Sequence, residues 1–375
     1  MKNIPLIVER NKDVEHIMHA ACRYGYNTAG RSNVNKQIAI LITADIHEDG
    51  ARLANAVEYL NYYDALDIGL CLGDVQSSNF SENDGTWYTR EVLKSKKPFL
   101  TVIGNHDVGN SDDISISATS KMAFEKFVLP TAGVTGLDDT DKPYFLKLFP
   151  EYKVALIGLD NYDAPTDLDE NGNYAVHRSS RVFSQKQINW LIESLDNIPK
   201  EFHLLVALHI VTCPTELVDS VFTQNDPEEL PSQTTVYGED NILTDIIDAW
   251  KRGEAIERAY SPVKYVGIAP DIRVKCDFSK RGEGVFAAYL MGHEHEDLIM
   301  RSKKYPDQLI IAFPSTAADN WQNYCSNLPR AVGTKAEDCL TVLSLDTERR
   351  RISLVRVGSN ITMELTERTY TSLSY

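Results

Sequence analysis

Five short stretches of the chain carry side chains able to bind metal or move protons. Asp45 and His47 stand two residues apart. Asp74 follows Gly73, and Asn105, His106 and Asp107 follow Gly104. His209 closes an apolar run, and His293 and His295 flank Glu294 after Gly292. Imidazoles, carboxylates and one amide oxygen together suit Mn, Fe or Zn, and are richer in nitrogen than Mg or Ca would select. Alternate residues of an extended segment point the same way, so each Asp-x-His or His-x-His pair can face one site. Asp45, His47, Asp74, Asn105, His209, His293 and His295 are too many ligands for one catalytic ion with an open position. They suit two divalent ions sharing a carboxylate. Ions about 4 Å apart stabilise both the attacking and the leaving oxygen of an in-line phosphoryl displacement.

Each stretch ends an apolar run, as a buried strand does when it runs into an active-site loop. The runs are 38–43, 68–72, 99–103, 203–208 and 286–291. Gly104 permits the sharp turn after the third of them. Asp45, Asp74 and Asn105 are spaced 29 and 31 residues apart, the length of a strand–helix unit returning to a parallel strand. Right-handed crossovers set such strands side by side. The three polar loops then share the carboxyl edge of one sheet, where open α/β sheets bind ligands. Helices are expected at 51–63, with Leu53, Ala56, Val57 and Leu60 as its stripe, and at 87–94.

Beyond these, 112–128 predicts a loop and a helix carrying Met122, Phe124 and Phe127, and 144–149 pairs with 154–159 across a turn. The polar loop 161–181 contains an Asp-Glu-Asn-Gly-Asn run from Asp169. It lacks the later glutamate of a calcium-binding EF-hand loop. A helix at 184–195 has Ser184 as N-cap, Gln187 completing a capping box, and Ile188, Leu191, Ile192 and Leu195 inward. His203 opens its strand at the end away from the other polar residues and reads as structural. Residues 212–282, with five prolines and one clear helix at 241–252, are expected as a cap or insertion and not as a second core. Runs at 309–313, 340–345, 352–357 and 361–366 predict a strand meander. Residues 1–36 read as an N-terminal extension with a helix at 14–24 and a loop at 29–36. His16 and His19 there are surface or packing residues. Residues 37–375 form a single domain.

The chain has 375 residues, 43% hydrophobic and 25% charged, with a formal net charge of −16. Polyanions are bound by Lys and Arg neutralising phosphates, so nucleic acid is not expected as a partner. The short basic clusters Lys94/Lys96/Lys97, Arg301/Lys303/Lys304 and Arg349/Arg350/Arg351 read as solvated faces. Six cysteines without a Cys-x-x-Cys pair argue against a disulfide framework, a zinc ribbon and a redox motif. No stretch has signal-peptide or membrane-span character, which leaves a cytoplasmic protein with no membrane partner as the expectation. The oligomeric state is not readable.

The ordered set Asp-x-His, Gly-Asp, Gly-Asn-His-Asp, His and Gly-His-x-His, over residues 38 to 300, resembles the calcineurin-like metallophosphoesterase superfamily. The resemblance implies an α/β (α+β mixed) fold, a four-layer α/β/β/α sandwich of two mixed sheets. It implies that Asp45, His47 and His295 hold a first metal, Asp74 bridges, and Asn105, His209 and His293 hold a second. A hydroxide between the ions would attack phosphorus. His106 and Asp107 are the implied catalytic pair. His106 would protonate the leaving oxygen or stabilise phosphoryl charge, and Asp107 would orient a histidine from behind.

Departures narrow the branch. Gly73-Asp74 is followed by Val75-Gln76-Ser77-Ser78, without the arginine of protein Ser/Thr phosphatases. Ser77 stands where purple acid phosphatases place a tyrosine, so no tyrosinate-bound ferric ion is implied. Gly292-His293-Glu294-His295 is similar to the cyclic-nucleotide phosphodiesterase, purple-phosphatase and small-metabolite branches. The expected function is hydrolysis of a small phosphodiester or phosphomonoester. A nuclease and a non-catalytic phospho-ligand module are the alternatives. Specificity is expected from loops 76–87 and 161–181 and from the insertion carrying Cys213, Tyr237 and Tyr260. Trp87, Tyr162 and Trp321 are aromatics that stack on a base or pack in the core or at its rim, and Arg178 or Arg181 either grips a phosphate or is a solvated arginine.

Overall fold

The computed structural model describes residues 5–10, 37–77, 79–81, 84–220, 236–238, 241–318, 333–334, 336–359 and 370–375. The expected helix at 14–24 with its two histidines, the loop at 29–36, the strand at 361–366, Trp321, Cys22 and Cys325 lie outside these residues.

The chain first lays down β1 (Gln37–Thr43), β2 (Ile68–Cys71) and β3 (Phe99–Thr101), parallel and adjacent. It then builds a second sheet from β4 (Phe145–Phe149), β5 (Val154–Gly158), β6 (His203–Ala207) and β7 (Thr215–Ser220). A two-stranded ribbon follows, β8 (Ala255–Tyr260) with β9 (Ile272–Asp277). The second sheet is completed by β10 (Val285–Met291), β11 (Leu298–Ser302) and β12 (Leu309–Ala312). The chain returns to the first sheet with β13 (Cys339–Asp346), β14 (Arg351–Gly358) and β15 (Tyr370–Ser374). The sheet orders are β15-β14-β13-β1-β2-β3 and β4-β5-β6-β10-β12-β11-β7, both mixed.

Residue alternation explains the layering. Ile38, Ile40 and Ile42 of β1 meet Leu205, Ala207 and Leu290 of the second sheet in the core between the sheets. The intervening Ala39 and Leu41 pack against Leu53, Ala56 and Leu60 of helix α1 (Gly50–Tyr62). On the other side, Leu204 and Val206 pack against Ile188, Leu191 and Leu195 of α2 (Gln185–Asn197) and Trp250 of α3 (Ile242–Arg252). Both faces of both sheets are covered, which requires apolar residues at consecutive positions. Each such side chain removed from water contributes roughly 1.5–3 kcal/mol. Ile7 and Val8, in the short helix Leu6–Arg10, join the cluster under α1.

Several expectations change. The run at 309–312 is not part of the meander; it pairs parallel to β10 in the second sheet, and β11, a five-residue strand, precedes it. Of the segment 212–282, expected as a cap or insertion, the described residues include elements that pack on the second sheet. β7 forms an edge of the second sheet, and the apolar face of α3 joins its outer core. At α2, Ser184 caps the Gln187 N–H at 3.2 Å. The Gln187 side chain does not complete a capping box; it bonds the backbone N–H and C=O of Asp160 instead. The run from Ser120 changes from α to π at Phe124–Val128, which buries Phe124 and Phe127 and leaves Met122 exposed. Asp169 accepts the N–H groups of Asn171 and Asn173 at 2.9 Å, a side-chain-stabilised turn. Cys71, Cys213, Cys276 and Cys339 are buried thiols.

Candidate metal centre

The strand ends stay in register past the last ladder residue. Asp45 N–H donates to Gly73 O and His47 N–H to Asp74 O, both at 3.0 Å, and Val102 N–H donates to Cys71 O at 3.0 Å. In the second sheet Leu208 N–H donates to Leu290 O and Gly292 N–H to His209 O, each at 3.1 Å. The two sheet edges meet where Gly292 lies against Asp45; a Cβ at Gly292 would stand 2.7 Å from Asp45 Oδ2. Asp45, His47, Asp74, His293 and His295 all have φ between 45° and 67°. That left-handed region is uncommon for non-glycine residues and is held only where the surroundings impose it. Five such residues where the two sheet edges meet point the candidate ligands inward at the expense of local backbone preference.

Three overlapping groups place their ligand atoms within 4.8 Å of one another: Asp45/His47/His295, His47/Asp74/His106 and Asp74/His209/His293. In the first, His295 Nε2 lies 3.3 Å from Asp45 Oδ1 and 3.2 Å from His47 Nε2. In the third, His209 Nε2 lies 3.2 Å from Asp74 Oδ2, 2.9 Å from Asn105 Oδ1 and 3.2 Å from His293 Nδ1. Asn105 Nδ2 donates to Asn110 Oδ1 at 2.9 Å, which turns the amide oxygen toward the histidines. His209 Nδ1 faces Leu72 O at 2.7 Å and His47 Nδ1 faces Gln76 O at 3.3 Å. Donation to those carbonyls leaves the Nε2 lone pairs directed into the cluster. Carboxylate oxygens, an amide oxygen and imidazole nitrogens thus converge at separations of 2.9–3.3 Å. These are atoms that a divalent metal takes as ligands, so the residues present fit one.

The charges respond to this crowding. Burial alone would lower His209, but Asp74 and Asp45 outweigh it and push it up to about 9. Burial, His209 and Arg181 bring His293 down to about 3. Burial brings His47 down to about 4 against the pull of Asp74 and Asp45. Burial would raise Asp45, yet His295 and His209 hold it below the usual carboxylate range.

All seven sequence-derived ligand candidates are brought together, with His106 at the rim. His106 has a side chain 17% exposed, its Nδ1 against Ser77 O and its Nε2 3.9 Å from Asp74 Oδ2. Asp107 is the correction. Expected to orient a histidine, its carboxylate instead accepts four backbone N–H groups, from Asp74, Val75, Gln76 and Gly104, at 2.8–3.2 Å. It thereby ties the Asp74 loop to the Gly104 loop and makes Asp107 a positioning residue.

Other contributors carried no signal in the sequence. Gln76 is buried and donates to the carbonyls of His106 and Asp107. Ser315 Oγ donates to Asp45 O at 2.8 Å. Asn161 Oδ1 accepts Ile210 N–H at 3.1 Å, beside His209. Tyr162 is buried, its hydroxyl 3.5 Å from Asn105 Oδ1, so it packs and stacks on no ligand. Trp87 packs against the α1 cluster.

A sequence profile for calcineurin-like phosphoesterases matches residues 38–297. No curated protein matches the chain. Among solved structures, a protein of Thermus thermophilus aligns with 85% of this chain and 98% of its own at 9% identity and a TM-score of 0.40. A predicted phosphoesterase from Streptococcus pneumoniae aligns with 90% and 98% at 9% identity and a TM-score of 0.31. The phosphopantetheinyl hydrolase of Mycobacterium tuberculosis aligns with 77% and 93% at 10% identity and a TM-score of 0.36. These likenesses are too distant to say anything about substrate. The profile match spans the whole run of motifs from β1 to the His-x-His loop, and the chain belongs to the calcineurin-like phosphoesterase family.

Proposed function

We propose that the protein is a dinuclear-metal hydrolase of a small phosphodiester or phosphomonoester. Asp45, His47 and His295 would hold one divalent ion and Asn105, His209 and His293 a second, with Asp74 serving both. Mn, Fe and Zn suit this donor set. The observation that carries the reading is the run of three overlapping groups, linked through His47 and Asp74, that gathers residues from strand ends of both sheets. Two ions bound there would supply Lewis acidity toward a phosphoryl oxygen and an activated water.

The chain's own residues do the rest. Asp107 fixes the spacing of the Asp74 and Gly104 loops through its four N–H bonds. Asn110 Nδ2 lies 3.1 Å from His106 Nε2, and Ser77 O holds the other ring nitrogen. His106 is thus held at the rim of the site, where it would protonate the leaving oxygen or stabilise phosphoryl charge. The test is a panel of aryl phosphomonoesters, phosphodiesters and cyclic nucleotides with Mn, read as kcat/KM, on wild type and His106→Ala. The expected result is metal-dependent turnover that falls by about 10²–10⁴-fold in the variant at unchanged metal content. Full activity in His106→Ala removes it from the mechanism, and absence of turnover across the panel with Mn bound defeats the reading.

A further inference from the structure

Arg178 and Arg356 are the two largest charged side chains that are fully buried among the described residues. Arg178 serves its own loop, its Nη2 donating to Pro165 O at 2.5 Å and Val176 O at 3.0 Å. Arg356 reaches across the molecule. It stands on β14, where Ile352 and Leu354 join the core between the sheets and Val355 and Val357 join the outer cluster. Alternation puts Arg356 on the inter-sheet face with Ile352 and Leu354. Its register partner is Thr341 on β13, which in turn pairs with Ile42 on β1, three residues before Asp45. Arg356 Nη1 donates to Cys339 Sγ at 2.8 Å, and Nη2 forms an ion pair with Oδ1 of the buried Asp297.

Asp297 ends the loop that carries His293 and His295 and leads into β11. That loop holds both histidines in the left-handed region, at φ 67° and 57°. Such conformations persist only where the surroundings over-determine them. The front of the loop is fixed by Gly292 N–H on His209 O at 3.1 Å, and by His293 N–H on the Asp45 carboxylate at 3.0 and 3.1 Å. The rear is fixed by the pairing of Asp297 with Arg356. Asp45 follows β1 and Arg356 lies on β14, so the loop is gripped at each end by the sheet opposite its own.

We propose, resting on the metal-site reading above, that Arg356 and Asp297 are positioning residues for the metal centre. Their ion pair holds the 292–297 loop so that His293 and His295 keep their places among the ligands. Two apolar residues would fill the same volume without taking charges out of water, and such replacements are often neutral or stabilising. The pair's contribution is therefore a single fixed place for the loop, more than net stability.

The experiment compares wild type, Arg356→Lys, Arg356→Met and the double variant Arg356→Met/Asp297→Leu. Chelator-treated protein is titrated with Mn by calorimetry, the visible spectrum of the Co-loaded protein is recorded, and Tm is measured without metal. Arg356→Met removes the countercharge of the buried Asp297 and is expected to melt lower. The double variant removes both charges and should keep Tm within a few degrees of wild type. Its Mn affinity should nonetheless fall about 10–100-fold, and its Co band should change in position or intensity. Arg356→Lys keeps the charge without the fork and should bind Mn with an affinity between the two. A folded double variant with wild-type Mn affinity and Co spectrum overturns the proposal, and the pair is then core packing only. Where the double variant does not fold, Arg356→Lys decides: weakened Mn binding at wild-type Tm supports the proposal, and unchanged Mn binding overturns it. A wild type that binds Mn and cleaves no ester defeats the phosphoesterase reading alone, since the Mn titrations still decide this one. A wild type that binds no Mn takes both down.

Discussion

Asp160 lies two residues beyond β5, fully buried, with one oxygen accepting the Tyr162 N–H at 2.9 Å. Its other oxygen makes no hydrogen bond among the described residues. Burial and the nearby Asp163 push it up to about 7 from 3.8. A carboxyl whose folded pKa exceeds its unfolded value binds more protons in the folded state. Its contribution is fully present below pH 3.8 and is lost as pH rises through 7. Asp160→Asn keeps the acceptor for Tyr162 and removes the ionisable group. It is expected to raise stability by on the order of 4 kcal/mol at pH 8, at about 1.4 kcal/mol per pKa unit, and to do little at pH 4. Chemical denaturation at both pH values checks this, and an equal effect at the two would show that ionisation is not the cause. Single residues divide sharply in how legible they are. The ligand candidates could be read because each is a polar residue ending an apolar run. The role of Asp107 could not, because its partners are amides of a different loop, and amides leave no mark on a sequence. The same holds for the buried Asp160 and Gln76, whose surroundings arise only from tertiary packing.

At the scale of elements, the strand–helix rhythm was legible because both periodicities and the near-equal intervals agreed. Two things were not. The segment 309–312 has the same apolar look as its meander neighbours, and which sheet it enters depends on long-range pairing with β10. The segment 212–282 reads poorly because its described elements are short and mixed, although β7 and α3 pack on the second sheet. The junction of β2 and β3 shows how strongly the elements constrain each other. A Cβ placed on Gly104 would overlap the backbone nitrogen and Oδ1 of Asp74. His106 N–H donates to that same Oδ1 at 2.8 Å. The clash is with backbone, which cannot rotate away. Gly104→Ala is therefore expected to part the two loops, lowering Mn affinity by about tenfold or more and stability by roughly 1–3 kcal/mol. Calorimetric Mn titration beside a melting curve tests it. Wild-type Mn affinity in a folded Gly104→Ala protein would mean that the spacing of these strand ends does not govern the site.

Across the whole molecule, both sheets contribute to a site that concentrates like-acting atoms. Asp45 and Asp74 are buried beside two pairs of imidazoles with nitrogens 3.2 Å apart, His47 with His295 across the sheet junction and His209 with His293 within the second sheet. In a chain already at −16, cations placed at this seam relieve repulsion where it is least screened by water. No helix among the described residues is long and apolar enough to cross a membrane; the contact between the two sheets is what organises the described body. A ligand that binds only the folded state stabilises it by RT ln(1 + [L]/Kd), about 2.7 kcal/mol at a hundred times Kd. Because the seam joins β1, β2 and β3 to β6 and β10, that stabilisation should appear in global unfolding and not merely as local ordering. Adding Mn to chelator-treated protein is expected to raise Tm by several degrees, a shift reversed by EDTA. Asp74→Asn, which weakens the residue shared by two of the three groups, should abolish most of the shift. An identical Tm with Mn and with EDTA, in protein shown to contain the metal by elemental analysis, would mean that the seam holds without cations and that the acceptor clusters are structural in another way.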